Sequence, residues 1–363
     1  MNLNHIRRAA LPGIAAVALA ASLAACGSSN SSSGGSSSLS GTVAAGGSTA
    51  QQTAQQAWYG AFKASNPNVK ISYDAVGSGD GRAGFEKGTY SFVGSDSPMD
   101  PKADLPAATK QCGGDPIQIP VFISPIDVAF NLPGVKSLNL DANTIASIFA
   151  GKITKWNDPA IAKQNSGVKL PSTTITPVHR SDSSGTTDNF TDYLHQAAPS
   201  VWTNEHNSDW PLKGGEGQEG TSGVVGDVKD NPGTIAYIDD SGVEKQGLGV
   251  AKIKVGSTYV APSAQGAANG LAASTLAKGG PSTVMTYQIN RTTTDPSNYP
   301  VFMASNEIAC QKYSSSATTD IVKSFLTYII SNQGQQVAAK NAYSAPLPSS
   351  VVSAEQKIIA KMG

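Results

Sequence analysis

Thr42-Val43-Ala44-Ala45-Gly46-Gly47-Ser48-Thr49-Ala50 decides how this chain is read. Small and β-branched residues come first and read as a short strand. Gly46 and Gly47 break it. Ala54, Ala57, Trp58, Ala61 and Phe62 then follow at helical spacing. The unit is strand, Gly- and hydroxyl-rich loop, helix, and it recurs. Val69, Ile71 and Tyr73 alternate as in a strand and run into Gly77-Ser78-Gly79. Thr174 to Val178 reads as a strand ahead of Asp182-Ser183-Ser184-Gly185-Thr186, after which Phe190, Leu194 and Ala197 share one helical face. Tyr90 to Val93 and Thr234 to Ile238 add strands; Thr144 to Ala150, Ile321 to Ile330 and Ser353 to Lys361 add helices. Such units in series predict an α/β protein with mostly parallel sheets.

Composition narrows the class. A chain of 363 residues is long enough for two domains or one bilobed unit at ~150 residues per domain. Lys plus Arg and Asp plus Glu both number 26, and charged residues are only 14%. That balance excludes a coiled coil, a collagen-like chain and a strongly basic nucleic-acid binder. The 37 glycines and 21 prolines fit a turn-rich globular body, not a charged disordered chain.

The first residues read as an address. His5, Arg7 and Arg8 make a basic start, Ala9 to Ala25 is mostly apolar, and the run ends in Leu23-Ala24-Ala25-Cys26. That order predicts an export signal over residues 1–25. The ending resembles the lipobox of bacterial lipoproteins, in which the Cys thiol is acylated and becomes the new first residue. Cys26 is therefore the expected lipidation site. Residues 26–41, nearly all Ser and Gly, would be a flexible tether with a reach of ~20 Å. Export also bears on the remaining cysteines, Cys112 and Cys310. In an oxidising compartment they predict one disulfide; the alternative is two buried thiols. Without a Cys-x-x-Cys pair and with four His, a structural zinc site is not expected.

Three loops carry the chemistry: Gly47-Ser48-Thr49-Ala50, Gly77-Ser78-Gly79 and Ser184-Gly185-Thr186. Each follows a strand and opens a helix. Hydroxyls there can cap the first turn, and the same exposed N–H groups make an anion site. One loop alone would be an ordinary cap. Three at the carboxyl ends of strands point to a shared ligand crevice. Arg180 is the cation beside these loops, with Asp182 two residues on. Hydroxyls, backbone N–H groups and one guanidinium suit a small tetrahedral oxyanion. Asp96 should repel an anion unless the ligand carries a proton to donate. Phosphate near neutral pH does and sulfate does not, so Asp96 would favour phosphate through an unpaired charge against its rival.

The residues also resemble a family, the phosphate-binding subunits of bacterial phosphate-specific ABC importers. The resemblance rests on Gly46-Gly47-Ser48-Thr49, Val76-Gly77-Ser78-Gly79, Gly94-Ser95-Asp96-Ser97-Pro98, Phe130-Asn131-Leu132-Pro133-Gly134, Gly151 to Pro159, and His179-Arg180-Ser181-Asp182 through Ser184-Gly185-Thr186. It runs in order from about residue 42 to 360. It implies a two-lobed type II periplasmic-binding-protein fold with the ligand in the cleft. Lobe one would be 42–122 plus 302–363, and lobe two 123–301, with crossings near Phe122-Ile123 and Val301-Phe302 as the hinge. Thr49 and Ala50 would bind phosphate with Ser48 beside them. Ser78 would donate its hydroxyl and N–H, Asp96 would accept the phosphate proton, and Arg180 would donate while held by Asp182. Ser184, Gly185 and Thr186 would complete the cradle. The resemblance further implies a monomeric, non-catalytic lipoprotein, lipid-anchored to the outer face of the cytoplasmic membrane. It would need no cofactor and would deliver phosphate to membrane permease subunits.

Two positions depart from the family pattern. Ala50 stands where many relatives have Phe, which keeps a backbone donor and removes an apolar wall. Ser183 stands where many have Gly, which would shift that loop slightly. Rival functions are a binder of another oxyanion, of the sulfate or molybdate class, and a surface protein turned to adhesion or sensing. A hydrolase built on His179, Asp182 and Ser184 is disfavoured, since Ser184 lies in no Gly-x-Ser-x-Gly elbow. No Gly-x4-Gly-Lys-Ser/Thr motif for nucleotide occurs. Trp58, Trp156, Trp202 and Trp210 read as packing or cleft-rim residues, and Lys213 to Gly217 as an exposed loop.

Overall fold

Strand and helix alternate along the chain from Gly41. The structure, a computed structural model, describes residues 38–244 and 246–363. The export signal, Cys26 and the tether as far as residue 37 lie outside the described residues. The first half runs β1 (Gly41–Gly47), α1 (Gln52–Ser65), β2 (Val69–Ala75), α2 (Ser78–Glu86), β3 (Phe92–Ser95), α3 (Asp104–Cys112), β4 (Pro116–Phe130), β5 (Ser137–Leu140), α4 (Ala142–Phe149), α5 (Pro159–Ala162), β6 (Thr176–Arg180) and α6 (Gly185–Ala197). It continues with β7 (Glu216–Gln218), α7 (Gly220–Asp230), β8 (Thr234–Asp239), α8 (Asp240–Val243), β9 (Gly249–Val255), β10 (Thr258–Val260), α9 (Ala264–Ala272), β11 (Thr275–Leu276), β12 (Tyr287–Gln288), β13 (Phe302–Cys310), α10 (Ser316–Ile329), α11 (Asn332–Ala342) and α12 (Ser349–Ile359). No described helix is long and apolar enough to cross a membrane.

One 11-stranded sheet carries the order β2-β1-β3-β13-β4-β8-β6-β7, with β9 joined to β4 and flanked by β5 and β10. Its two ends are parallel: β2, β1 and β3 at one, β8, β6 and β7 at the other. The middle is not. β13 runs antiparallel to both β3 and β4, and β4 antiparallel to β8 and β9. The expectation of mostly parallel sheets is corrected here, because the sheet is mixed. β4 carries the chain out of the first parallel set and β13 brings it back, so the two must run in opposite directions. β4 is a run of fifteen buried residues with no polar alternation, as befits a strand covered on both faces.

Apolar spacing accounts for the helices. α1 buries Ala54, Trp58 and Phe62 on one stripe. Phe62 meets Phe325 of α10 edge-on at 5.4 Å, and Phe325 lies 5.5 Å from Phe92 of β3. Trp58 and Trp156, wholly buried, each give the indole N–H to a carbonyl, that of Gly334 and that of Gly233. Trp202 is buried too, and Trp210 is partly buried against the core. All four tryptophans therefore pack. Cys112 at the end of α3 and Cys310 at the end of β13 form the expected disulfide, with Cα atoms 5.2 Å apart across a separation of 198 residues. Lys213 to Gly217 is exposed as expected, although Glu216 and Gly217 enter the edge strand β7.

The turn after β1 needs glycine. Gly47 has φ +119°, and a Cβ there would lie 2.1 Å from the Gly94 carbonyl oxygen. That close approach brings the loop after β1 onto the end of β3, where Asp96 stands. The Ser48 N–H donates to the same Gly94 carbonyl at 2.8 Å.

Candidate functional site

Four helix N-termini meet where the parallel strands end. α1 follows the Ser48 loop, α2 begins at Ser78, α6 is capped by Ser184, and α7 begins at Gly220. The first N–H groups of each helix lack intrahelical partners and carry the positive end of its dipole. The sequence reading anticipated three of these ends; α7 is the fourth. Its N-terminus is brought in by side chains: the Gly220 N–H donates to Asp182 Oδ1 at 3.0 Å, and the Thr221 N–H to Thr49 Oγ1 at 3.2 Å.

Asp96 stands at the centre, 3% exposed. Ser48 donates its hydroxyl to Asp96 Oδ1 at 2.6 Å. Ser78 and Thr186 approach Oδ2, each at 3.4 Å. The Asp96 N–H in turn donates to Ser78 Oγ at 3.1 Å, and its carbonyl accepts from the Asn189 amide at 2.8 Å. Burial raises the Asp96 carboxyl above its ordinary range, against the pull of the hydroxyl donors and of the Arg180 charge.

Arg180 is equally buried. Its Nε donates to Asp182 Oδ1 at 2.7 Å and its Nη2 to Asp182 Oδ2, so one edge of the guanidinium is pinned by that carboxylate. Burial alone would push Asp182 up; the bonds from Arg180 and from the Gly220 N–H bring it below the usual carboxylate range. Arg82, a second cation in this region, is turned away: it pairs with Asp104 at 2.7 Å and donates to Ser95 at 2.9 Å.

The expected site residues thus divide. Ser48, Ser78 and Thr186 converge on the Asp96 carboxylate. Gly185 packs so close beneath it that a Cβ would lie 2.6 Å from Asp96 Cβ. Ser184 caps α6 by accepting from the Thr187 N–H at 3.3 Å. Thr49 faces Thr221 at 3.1 Å rather than Asp96, and Ala50 is buried against the core. Ser183 sits directly over Gly79, whose N–H donates to the Ser183 carbonyl at 3.0 Å. His179 belongs to packing: its ring stacks on Trp210 at 4.9 Å.

Sequence reading missed Gln51, Thr221, Asp239 and Ser305. Thr221 donates to Asp239 Oδ1 at 3.1 Å, and burial pushes the Asp239 carboxyl up to about 6. Ser305 donates to Asp96 Oδ1 at 2.5 Å. One signal was available: Ser305-Asn306-Glu307 interrupts an otherwise apolar run between Phe302 and Cys310.

Residues 32–333 match the model of a PBP superfamily domain. The chain is 36% identical over 303 residues to the phosphate-binding protein PstS 3 of Mycobacterium leprae, covering 83% of this chain and 81% of that one. It belongs to the PstS family of phosphate-binding proteins. PstS 2 of Mycobacterium tuberculosis is 35% identical over 304 residues, covering 83% of this chain and 82% of the relative. This is a family of solute-binding transport proteins rather than enzymes. Among solved structures, a high-affinity periplasmic phosphate-binding protein superposes with a TM-score of 0.70 at 22% identity, covering 87% of this chain and 93% of that one. A phosphate-binding protein from Stenotrophomonas maltophilia gives 0.64 at 20% identity, covering 87% and 93%. These likenesses establish the type II binding-protein fold.

Proposed function

We propose that this chain captures inorganic phosphate outside the cytoplasmic membrane and delivers it to an ABC importer. The observation that carries the proposal is a buried carboxylate set among helix N-termini and beside a buried guanidinium. Such a site attracts an oxyanion and then demands a hydrogen from it. Thr49, Ala50 and Ser78 would bind from one side, with Ser48 beside them holding Asp96. Arg180, Ser184, Gly185 and Thr186 would bind from the other, with Asp182 holding Arg180. Asp96 accepts the phosphate proton. Sulfate would bring four acceptor oxygens against Asp96 and leave two negative groups in contact with no hydrogen between them. The names of the relatives point the same way.

The division into lobes 42–122 plus 302–363 and 123–301 is part of this reading. β4 and β13 would be the two crossings, and ligand would favour closure because both lobes donate to it. The disulfide joins two elements of lobe one and leaves the hinge free. A signal over residues 1–25, acylation of Cys26 and the Ser/Gly tether would hold a monomer at the outer face of the membrane, within reach of the permease subunits.

Calorimetry of the ligand-stripped protein with phosphate, arsenate and sulfate tests the function. Phosphate and arsenate, which both keep a proton near neutral pH, should bind. Sulfate should bind at least ~100-fold more weakly. Equal affinity for sulfate, or preference for molybdate, would reject the reading.

A further inference from the structure

A buried polar chain leads away from Asp96 into the protein. Ser305 Oγ donates to Asp96 Oδ1 at 2.5 Å. Gln51 Nε2 donates to Ser305 Oγ at 2.6 Å and to the Asn306 carbonyl at 3.1 Å. Gln55 Nε2 donates to Gln51 Oε1 at 2.7 Å and also to Glu307 Oε1. Gln51, Gln55, Ser305 and Glu307 are all 2% exposed or less. Nothing in binding an anion at Asp96 explains four buried polar side chains behind it.

The directions of these bonds supply the explanation. A hydroxyl has one hydrogen. Because the Gln51 amide donates to Ser305, the Ser305 hydrogen must go elsewhere, and Asp96 Oδ1 is its acceptor. Ser48 is held in the same way. Its oxygen accepts from the Gln51 backbone N–H at 3.1 Å, so its hydrogen also goes to Oδ1. Gln51 therefore aligns both hydroxyls, one through its main chain and one through its side chain. Gln55 fixes the orientation of the Gln51 amide by donating to its oxygen. Oδ1 is filled by two short bonds, whereas Oδ2 has only the two contacts at 3.4 Å.

The backbone is shaped for this arrangement. The pairing of β13 with β4 slips between Ser305 and Asn306, so that Ser305 pairs with Phe122 and Asn306 with Pro120. The extra residue at this step, Val121, belongs to β4, so the irregularity lies in the partner strand opposite Ser305. Gly94 makes room on the opposite side, since a Cβ would lie 2.6 Å from both Gln51 Oε1 and Tyr73 Oη.

We propose that Ser305, oriented by Gln51, is a positioning residue that sets the phosphate-over-sulfate selectivity of this site by occupying Asp96 Oδ1 and leaving Oδ2 to read the ligand's hydrogen. The proposal rests on the assignment of Asp96 as proton acceptor. Without Ser305 the carboxylate loses a strong donor and can turn. It also becomes easier to protonate, and a protonated Asp96 offers sulfate the hydrogen that sulfate lacks. Arg180 opposes that protonation, whereas the Asp239 carboxylate and the burial of the site favour it.

The experiment compares wild type with Ser305→Ala, Ser305→Thr, Gln51→Met and Asp96→Asn. Phosphate and sulfate affinities come from calorimetry, and melting curves check the fold. Ser305→Ala should lower phosphate affinity ~10-fold, the loss of one hydrogen bond to a charged group, and should lower the phosphate-to-sulfate ratio by at least as much. Gln51→Met should shift the ratio in the same direction, and Ser305→Thr, which restores a hydroxyl, should return it toward wild type. A merely structural role would weaken both anions alike and leave the ratio unmoved. If Asp96→Asn collapses selectivity but Ser305→Ala keeps it, the positioning role is wrong and the site assignment survives. If Asp96→Asn itself keeps wild-type selectivity, the site assignment fails and this inference falls with it.

Discussion

Gly185→Ala measures whether the cleft works by closing. Gly185 opens α6, and its neighbours across the site belong to the other proposed lobe. A Cβ at this position would lie 2.6 Å from Asp96 Cβ, 2.7 Å from the Ser97 nitrogen and 2.8 Å from Ser78 Oγ. Ordinary contact begins at 3.4 Å, so the walls must part by the better part of an ångström. Two of those three atoms are backbone or Cβ and cannot rotate aside. Overpacking of this kind costs ~1–3 kcal/mol. At 1.4 kcal/mol per decade, phosphate affinity should fall by roughly 5- to 150-fold. The same methyl should do little to the ligand-free protein if the lobes can open, because Ala is then better than Gly in a helix by ~0.5–1 kcal/mol. Calorimetry with phosphate and melting curves with and without ligand separate the two effects. The variant should melt near wild type when ligand-free and gain less from phosphate. Wild-type affinity would refute the close approach. A large loss of ligand-free stability would show that the two walls are packed together permanently and would refute the hinge.

Arg180→Ala should weaken phosphate binding at least ~10-fold, since it removes charge-assisted donors and leaves Asp182 and Asp96 without their shared cation; equal affinity by calorimetry would displace Arg180 from the site. Glu307 gives a pH test. Burial pushes its carboxyl from 4.5 up to about 8, so the folded state keeps a proton that the unfolded chain releases. Its contribution to stability is fully present below about 4.5 and declines as pH rises towards about 8. Stability should therefore fall from pH 6 to pH 8, by up to ~1.4 kcal/mol per pH unit from this group, and the melting temperature should fall with it. Glu307→Gln should flatten that fall, and an unchanged slope would mean that Glu307 is not holding its proton.

The strand–loop–helix units were legible because each is local. β1 and the loop at Ser48, the strand before Asp182 and the cap at Ser184 are written in contiguous residues, and the structure forms all of them. Arg180 and Asp182 are two residues apart, so their pairing needed no knowledge of the fold. Asp96 was legible for a different reason: a carboxylate among anion-binding loops is chemically out of place. Sheet direction was not local. Parallel units at both ends of the sheet suggested a parallel whole, but the direction of β4 and β13 depends on which set each strand joins. Those partners lie far off in sequence: Phe302 pairs with Pro125, and Asn306 with Ser95.

Gln51 and Ser305 show where local reading ends. Gln51 stands just before a helix whose inward stripe, Gln55 apart, is apolar, and Gln at such a place is unremarkable on a surface. It is wholly buried because β13 lies beside it, 254 residues away in sequence. Ser305 reaches Asp96 from a strand whose partner carries an extra residue opposite the Ser305–Asn306 step, and that slip depends on how β13 meets β4, not on any turn signal near Ser305. The polar triplet Ser305-Asn306-Glu307 could have raised suspicion, since each uncompensated polar group in a buried strand is unfavourable. It could not have named the partner. On the proposed reading, selectivity depends on bond direction as well as on composition. A hydroxyl can point its hydrogen toward a neighbour or away, and the donor behind Ser305 turns that hydrogen to Asp96. The acid proposed to read the ligand was visible in the chain; the amide that aligns its hydroxyl donor became visible only when the sheet closed around both.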